Sequence, residues 1–131
     1  MEVAVVKSNY TIITNNPMVY ERLCDTKEVI YREVGYEDIL KVARDEIHQG
    51  AILLSHPLSG SVKPKETPYK SLMVKKGKGL DEQSVQIIES AIQTCKKFQD
   101  KSELYSKNVW LDFQLIDWGL IEGAMASADA W

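Results

Sequence analysis

Hydrophobic positions in this chain recur with two periods that alternate along its length. Tyr10–Thr14 is a short β-branched run that stops at Asn15-Asn16-Pro17. Asn16 suits a helix N-cap and Pro17 the first helical position, where proline has no N–H to lose. Met18–Asp25 then predicts a short helix with Val19, Leu23 and Met18 turned inward. Val29, Tyr31 and Glu33 alternate against Ile30, Arg32 and Val34, which is the period of a strand. An earlier apolar run, Val3–Val6, predicts a further strand or the start of an extended one.

From Tyr36 to Gln49 the period becomes helical, with Ile39, Leu40, Ala43 and Ile47 on one stripe, Val42 widening it and Gly50 as the stop. Ala51–Ser55 reads as a buried strand and Tyr69–Lys75 as another, turned by Lys76-Gly77-Lys78-Gly79. Asp81 caps a predicted helix to about Phe98, striped by Val85, Ile88, Ile92 and Cys95. After a break at Asp100-Lys101-Ser102, a last helix starts at Leu104 or Asn108 and runs to Met125, leaving 126–131 as a loose tail. Val109, Trp110, Leu111, Phe113, Leu115, Ile116, Trp118, Leu120 and Ile121 surround that helix almost completely. A helix apolar all round must be covered on more than one side. Either it lies across the sheet as a core helix, or Trp110, Phe113 and Trp118 form a homodimer seam.

Strands and helices in this order predict one α/β domain over 1–131. The expected architecture is a three-layer sandwich with a mainly parallel, Rossmann-like sheet. In that class ligands sit at the carboxyl ends of strands. Those ends are Thr14-Asn15-Asn16-Pro17 and Ser55-His56-Pro57.

Composition narrows the function classes. The chain has 131 residues, a formal net charge of −3 and 27% charged residues, which argues against a surface built for nucleic-acid phosphates. It shows neither a secretory signal pattern nor an apolar run long enough for a membrane helix, so the expected compartment is the cytoplasm. Cys24 and Cys95 have no CxxC spacing and read as reduced, apolar fillers. With His48 and His56 as the two histidines, no metal site is expected. No cofactor is expected either, since Walker and GxGxxG patterns are absent.

The most informative stretch is Leu54–Ser71, LSHPLSGSVKPKETPYKS. It holds three of the four prolines, so a connection this long is expected to keep a fixed shape. Within it His56, held extended by the following proline, is the candidate general acid or base, with Glu66 the carboxylate able to fold back on it. A hydrogen bond that merely ties the loop down is the competing role. Ser59, Gly60 and Ser61, with Lys63 and Lys65, combine hydroxyls, a flexible backbone and positive charge, which suits a phosphate or carboxylate. The plain alternative is a solvated loop. Thr67 and Tyr69 return the chain to the sheet, with Tyr69 as a half-buried anchor. Thr14, Asn15 and Asn16 offer amides and a hydroxyl beside a helix start, and the same residue types serve as caps and turns.

Three segments together, TNNPMV, HPLSGSVKPKETPYKSLMV and LDEQSVQIIESAI, resemble the GrdX family. The resemblance covers roughly residues 10–99, and Thr14, Asn15, Asn16, Pro17, His56, Pro57, Gly60, Lys63, Pro64, Thr67, Pro68 and Tyr69 carry it. It implies a role beside the glycine, sarcosine and betaine reductase systems of amino-acid-fermenting anaerobes, without implying an activity or catalytic residues. It is silent on Leu104–Trp131. The leading expectation is an accessory or regulatory protein that binds a small anionic ligand or a reductase-complex subunit through the 55–70 loop. The alternatives are a small enzyme using His56 and an assembly factor docking through the 108–125 helix.

Overall fold

The computed structural model describes residues 9–58 and 62–130. The run Val3–Val6, the tripeptide Ser59-Gly60-Ser61 and Trp131 lie outside the described residues. Strand β1 spans Thr11–Thr14 and leads directly into helix α1, Pro17–Leu23. Asn16 is the cap: its side-chain oxygen accepts from the Met18 N–H at 3.0 Å. There follow β2 (Glu28–Tyr31), α2 (Tyr36–His48), β3 (Ala51–Leu53), β4 (Ser71–Lys76), α3 (Glu82–Cys95), a 3₁₀ turn at Ser102–Leu104 and α4 (Lys107–Asp129). Asp81 caps α3 through its carboxylate, which accepts from the Ser84 N–H at 3.1 Å.

The strands form one open sheet in the order β2-β1-β4-β3. β1 and β2 are parallel, whereas β4 runs antiparallel to both β1 and β3. The expected mainly parallel, Rossmann-like sheet is therefore corrected, since two of the three ladders are antiparallel. The reason is the connection after β3. Its described residues contain no helix to carry the chain back over a face for a parallel return, so the chain reverses and β4 fills the gap between β3 and β1. The exits of β1 and β3 are consequently not neighbours.

Successive residues of the central strands face opposite sides. Ile13, Leu72 and Val74 pack with Ile39, Leu40, Ala43 and Ile47 of α2 and Ile88, Ala91, Ile92 and Cys95 of α3. Ile12 and Met73 pack on the other face with Val19 and Leu23 of α1 and Ile121 and Met125 of α4. Helices thus lie on both faces of a mixed four-stranded sheet. The turn from α2 into β3 passes through Gly50 at φ 108°, a conformation that suits glycine. Gly77 crosses beside it so closely that a Cβ there would stand 2.5 Å from the Gly50 carbonyl oxygen.

Among the described residues, helix α4 is covered on one side. Asp117, Ile121 and Met125 are buried, while Leu111, Leu115, Ile116 and Leu120 are 43–50% exposed. Trp110, Phe113 and Trp118 are half-buried against their own chain. Trp110 meets Tyr69 edge-on at 5.6 Å, Phe113 lies 5.5 Å from Tyr105, and Arg22 sits 5.0 Å over Trp118. The helix also runs past Met125, so residues 126–129 form its last turn rather than part of a loose tail. Asp129 anchors that turn by accepting from the Tyr10 hydroxyl at 2.9 Å.

Candidate functional site

Polar groups that the sequence places at the end of β1 are drawn into the protein rather than presented at a surface. Thr14, Asn15 and Asn16 are all buried. The Asn15 amide donates to the carbonyls of Val34 and Pro68, each at 2.9 Å, and its oxygen accepts from the Lys70 N–H at 2.9 Å. One side chain therefore fixes the spacing between the exit of β2 and the end of the long loop. Asn16 caps α1 with its oxygen, while its amide nitrogen donates to the Gln114 carbonyl and to Asp117 Oδ2, both at 3.0 Å.

Asp117 is the centre of this junction. Its Oδ1 accepts from the Ser71 N–H at 3.0 Å, and its Oδ2 accepts from the Ser71 hydroxyl at 2.7 Å. Ser71 Oγ is also 2.6 Å from the Thr14 hydroxyl. With the Ser71 proton directed at the carboxylate, Thr14 is the donor in that contact. Burial pushes the Asp117 carboxyl above the usual carboxylate range, against the opposing effect of the Ser71 and Asn16 hydrogen bonds and the Lys70 charge. Lys70 is itself buried, which pulls its ammonium below the usual lysine range while Asp117 acts to raise it. This cluster joins β1, β4 and α4. Sequence reasoning missed it, although a lone carboxylate inside the apolar stretch FQLIDWGLI was the available signal.

The described half of the long loop is held from several sides. Lys63 to Glu66 form a turn closed by the Glu66 N–H on the Lys63 carbonyl at 3.1 Å, with Pro64 second and Lys65 third at φ 66°. Lys65 donates to Glu37 of α2 at 3.0 Å, and this bond holds the Glu37 carboxyl below its usual range. The Tyr105 hydroxyl donates to the Glu66 carbonyl at 2.7 Å. The Thr67 hydroxyl accepts from the Tyr69 N–H at 3.2 Å. Tyr69 is buried, with its hydroxyl accepting from Gln114 at 2.9 Å.

These contacts bring Thr14, Asn15, Asn16, Thr67 and Tyr69 together, while His56 and Lys63 stand elsewhere. Lys63 is exposed. His56 is exposed too, and its Nδ1 accepts from the Leu58 N–H at 3.1 Å. It lines shallow clefts beside Gln86 and Ser90 of α3 and beside Ala124 and Ser127 of α4. Ser59, Gly60 and Ser61 fall outside the described residues. Among the described residues no cluster of His, Cys, Asp and Glu is placed to hold a metal ion.

At the carboxyl ends of the parallel pair β1 and β2 the chain forms a cleft of about 410 Å³. Tyr31 at the end of β2 and Glu33 and Val34 just beyond it line one side, Pro68 and Tyr69 come from the loop, Asp100 and Ser102 from the approach to α4, and Trp110 from α4 itself. A second cleft, about 290 Å³, lies at the opposite end of the strands among Thr11, Glu28, Glu46 and Lys75, and none of the described expected site residues lines it.

Fold and cleft together define a small mixed α/β protein with a braced strand-exit pocket and no helix among the described residues long and apolar enough to cross a membrane. The family model described as GrdX-like protein matches residues 11–126, and the chain belongs to that family. The match extends through most of α4, beyond the segments that carried the resemblance. Comparison with curated proteins and with solved structures found no match.

Proposed function

We propose that this chain is an accessory protein of a glycine, sarcosine or betaine reductase-type system in the cytoplasm, and that it docks a partner subunit through the outer face of α4. Membership of the GrdX-like family supports the system. One observation carries the docking face: Leu111, Leu115, Ile116 and Leu120 stand exposed on a helix whose other side is already packed. Gly119 and Gly123 lie among them, and a Cβ at either would meet nothing within 4 Å. Each mid-helix glycine costs roughly 0.5–1 kcal/mol relative to alanine. No described residue approaches closely enough to require that sacrifice, whereas a helix from a partner would approach closely there.

The braced segment Lys63–Tyr69 of the 55–70 loop adds a second contact, with Lys63 exposed to a small anion or an acidic patch. The reading of His56 as an acid or base has less support, because its Nδ1 is engaged by the Leu58 N–H within its own loop.

The test is capture of purified reductase subunits by the wild type and by variants of this face. Leu115→Glu should abolish capture without changing the melting temperature. Gly119→Ala with Gly123→Ala should raise the melting temperature and still weaken capture. Capture that survives both variants would reject the docking face, and sedimentation of the protein alone would reveal a second copy as the occupant.

A further inference from the structure

The cleft at the ends of β1 and β2 has a chemistry that the loop's lysines do not share. Its walls include three aromatic side chains, Tyr31, Tyr69 and Trp110, and its ionisable groups, apart from the tyrosines, are the carboxylates of Glu33 and Asp100. No lysine, arginine or histidine is among its described lining residues. Pro17, Val34 and Pro68 complete it with apolar surface.

Each aromatic wall is fixed in place. Tyr69 is held by the Gln114 amide on its hydroxyl at 2.9 Å and by Trp110 edge-on at an interplanar angle of 76°. Tyr31 is stacked on Tyr20 at 5.0 Å. Asn15, donating to both Val34 and Pro68, holds the two sides of the cleft at a set distance. Asp100 is oriented by the Ser102 N–H at 2.9 Å and the Ser102 hydroxyl at 2.6 Å, both on Oδ1. The negative charges are felt at the aromatic wall: burial first, and then Glu33, raise the Tyr31 phenol above its usual range.

A braced pocket of electron-rich rings with carboxylates at its rim matches one ligand class well. Ring quadrupoles attract cations, and alkyl groups on the cation exchange hydration for contact with apolar walls. A small anion would instead face two carboxylates with no lining cation to offset them. We propose that this cleft is a binding site for a small alkylated ammonium ion, with Tyr31, Tyr69 and Trp110 as its walls and Glu33 and Asp100 supplying the opposing charge. A bare ammonium ion fits less well, because it would exchange strong hydration for apolar contact.

The experiment is NMR titration of the whole protein with choline and, separately, with its neutral isostere 3,3-dimethylbutan-1-ol, following the Trp110 indole N–H. Choline should shift that signal with saturation at tens of millimolar or below, and the neutral alcohol and ammonium chloride should not. Glu33→Gln should weaken choline binding severalfold, and Trp110→Leu about tenfold. Glu33 is exposed, and its carboxylate accepts from the Tyr31 hydroxyl at 3.5 Å, so the neutral amide removes the charge without disturbing the core. Equal response to the alcohol, no response to choline, or unchanged affinity in Glu33→Gln would each overturn the proposal. It stands apart from the docking face: Leu115→Glu should leave choline binding intact, and Glu33→Gln should leave subunit capture intact.

Discussion

Asp117 of α4 grips Ser71 twice, accepting from its backbone N–H at 3.0 Å and from its hydroxyl at 2.7 Å. Ser71 is the first residue of β4, so this pair sets where the long loop ends and the reversed strand begins. The same carboxylate holds Asn16, the cap of α1. One side chain therefore ties the last helix to the first strand-to-helix junction and to the central strand.

Removing that carboxylate leaves the Ser71 N–H and hydroxyl and the Asn16 amide short of an acceptor. Each unsatisfied buried donor costs about 1–3 kcal/mol. Asp117→Ala should therefore lower the unfolding free energy by about 3 kcal/mol or more in urea denaturation. Asp117→Asn keeps one acceptor oxygen but turns an amide toward the Asn16 amide, for a smaller loss of about 1–3 kcal/mol. A loss under about 1 kcal/mol for the alanine variant would show that the junction contributes little.

Asp117 and Glu37 should respond to pH in opposite senses. The folded pKa of Asp117 lies above its unfolded value. Its contribution is fully present below the ordinary carboxylate pKa and fades as pH rises through the raised one. Glu37 is depressed by its bond to Lys65. Its contribution is present above the ordinary carboxylate pKa and fades as pH falls through the lowered one. Melting curves across the acidic to neutral range should show the advantage of wild type over Asp117→Asn shrinking as pH rises. The advantage over Glu37→Gln should grow over the same interval. Trends in the reverse direction would contradict these assignments.

Asn15 donates to two carbonyls at once, so its shape alone cannot substitute for its chemistry. Asn15→Asp has nearly the same volume but turns an acceptor toward the Val34 and Pro68 oxygens. It should cost about 2–3 kcal/mol and shift the Trp110 indole signal, because Tyr69 loses its fixed position. An unshifted indole in a folded variant would mean that the cleft is braced by other contacts.

Local patterns were legible wherever one element was enough to express them. The Asn16 cap with Pro17, the α2 stripe of Ile39, Leu40, Ala43 and Ile47, and the Asp81 cap of α3 all follow from side chains acting on their own neighbours. The polar exit of β1 was recognised as special, but its partners were not, since Asn15 reaches Pro68 and Asn16 reaches Asp117 across 53 and 101 residues. Spacing along the chain carries no trace of such pairings.

What the sequence determined by itself was the order of helices and strands among the described residues, the caps of α1 and α3, and the family, because these depend on periodicity and residue type within short windows. The tertiary structure alone decided that β4 runs back between β1 and β3, that Asp117 closes the buried junction, and that Leu111, Leu115, Ile116 and Leu120 rather than Trp110, Phe113 and Trp118 face outward. An all-round apolar helix contains no preference for which side is covered. That choice came from Asp117, whose carboxylate has to be buried where Ser71 and Asn16 can satisfy it, and so turns the helix about its axis.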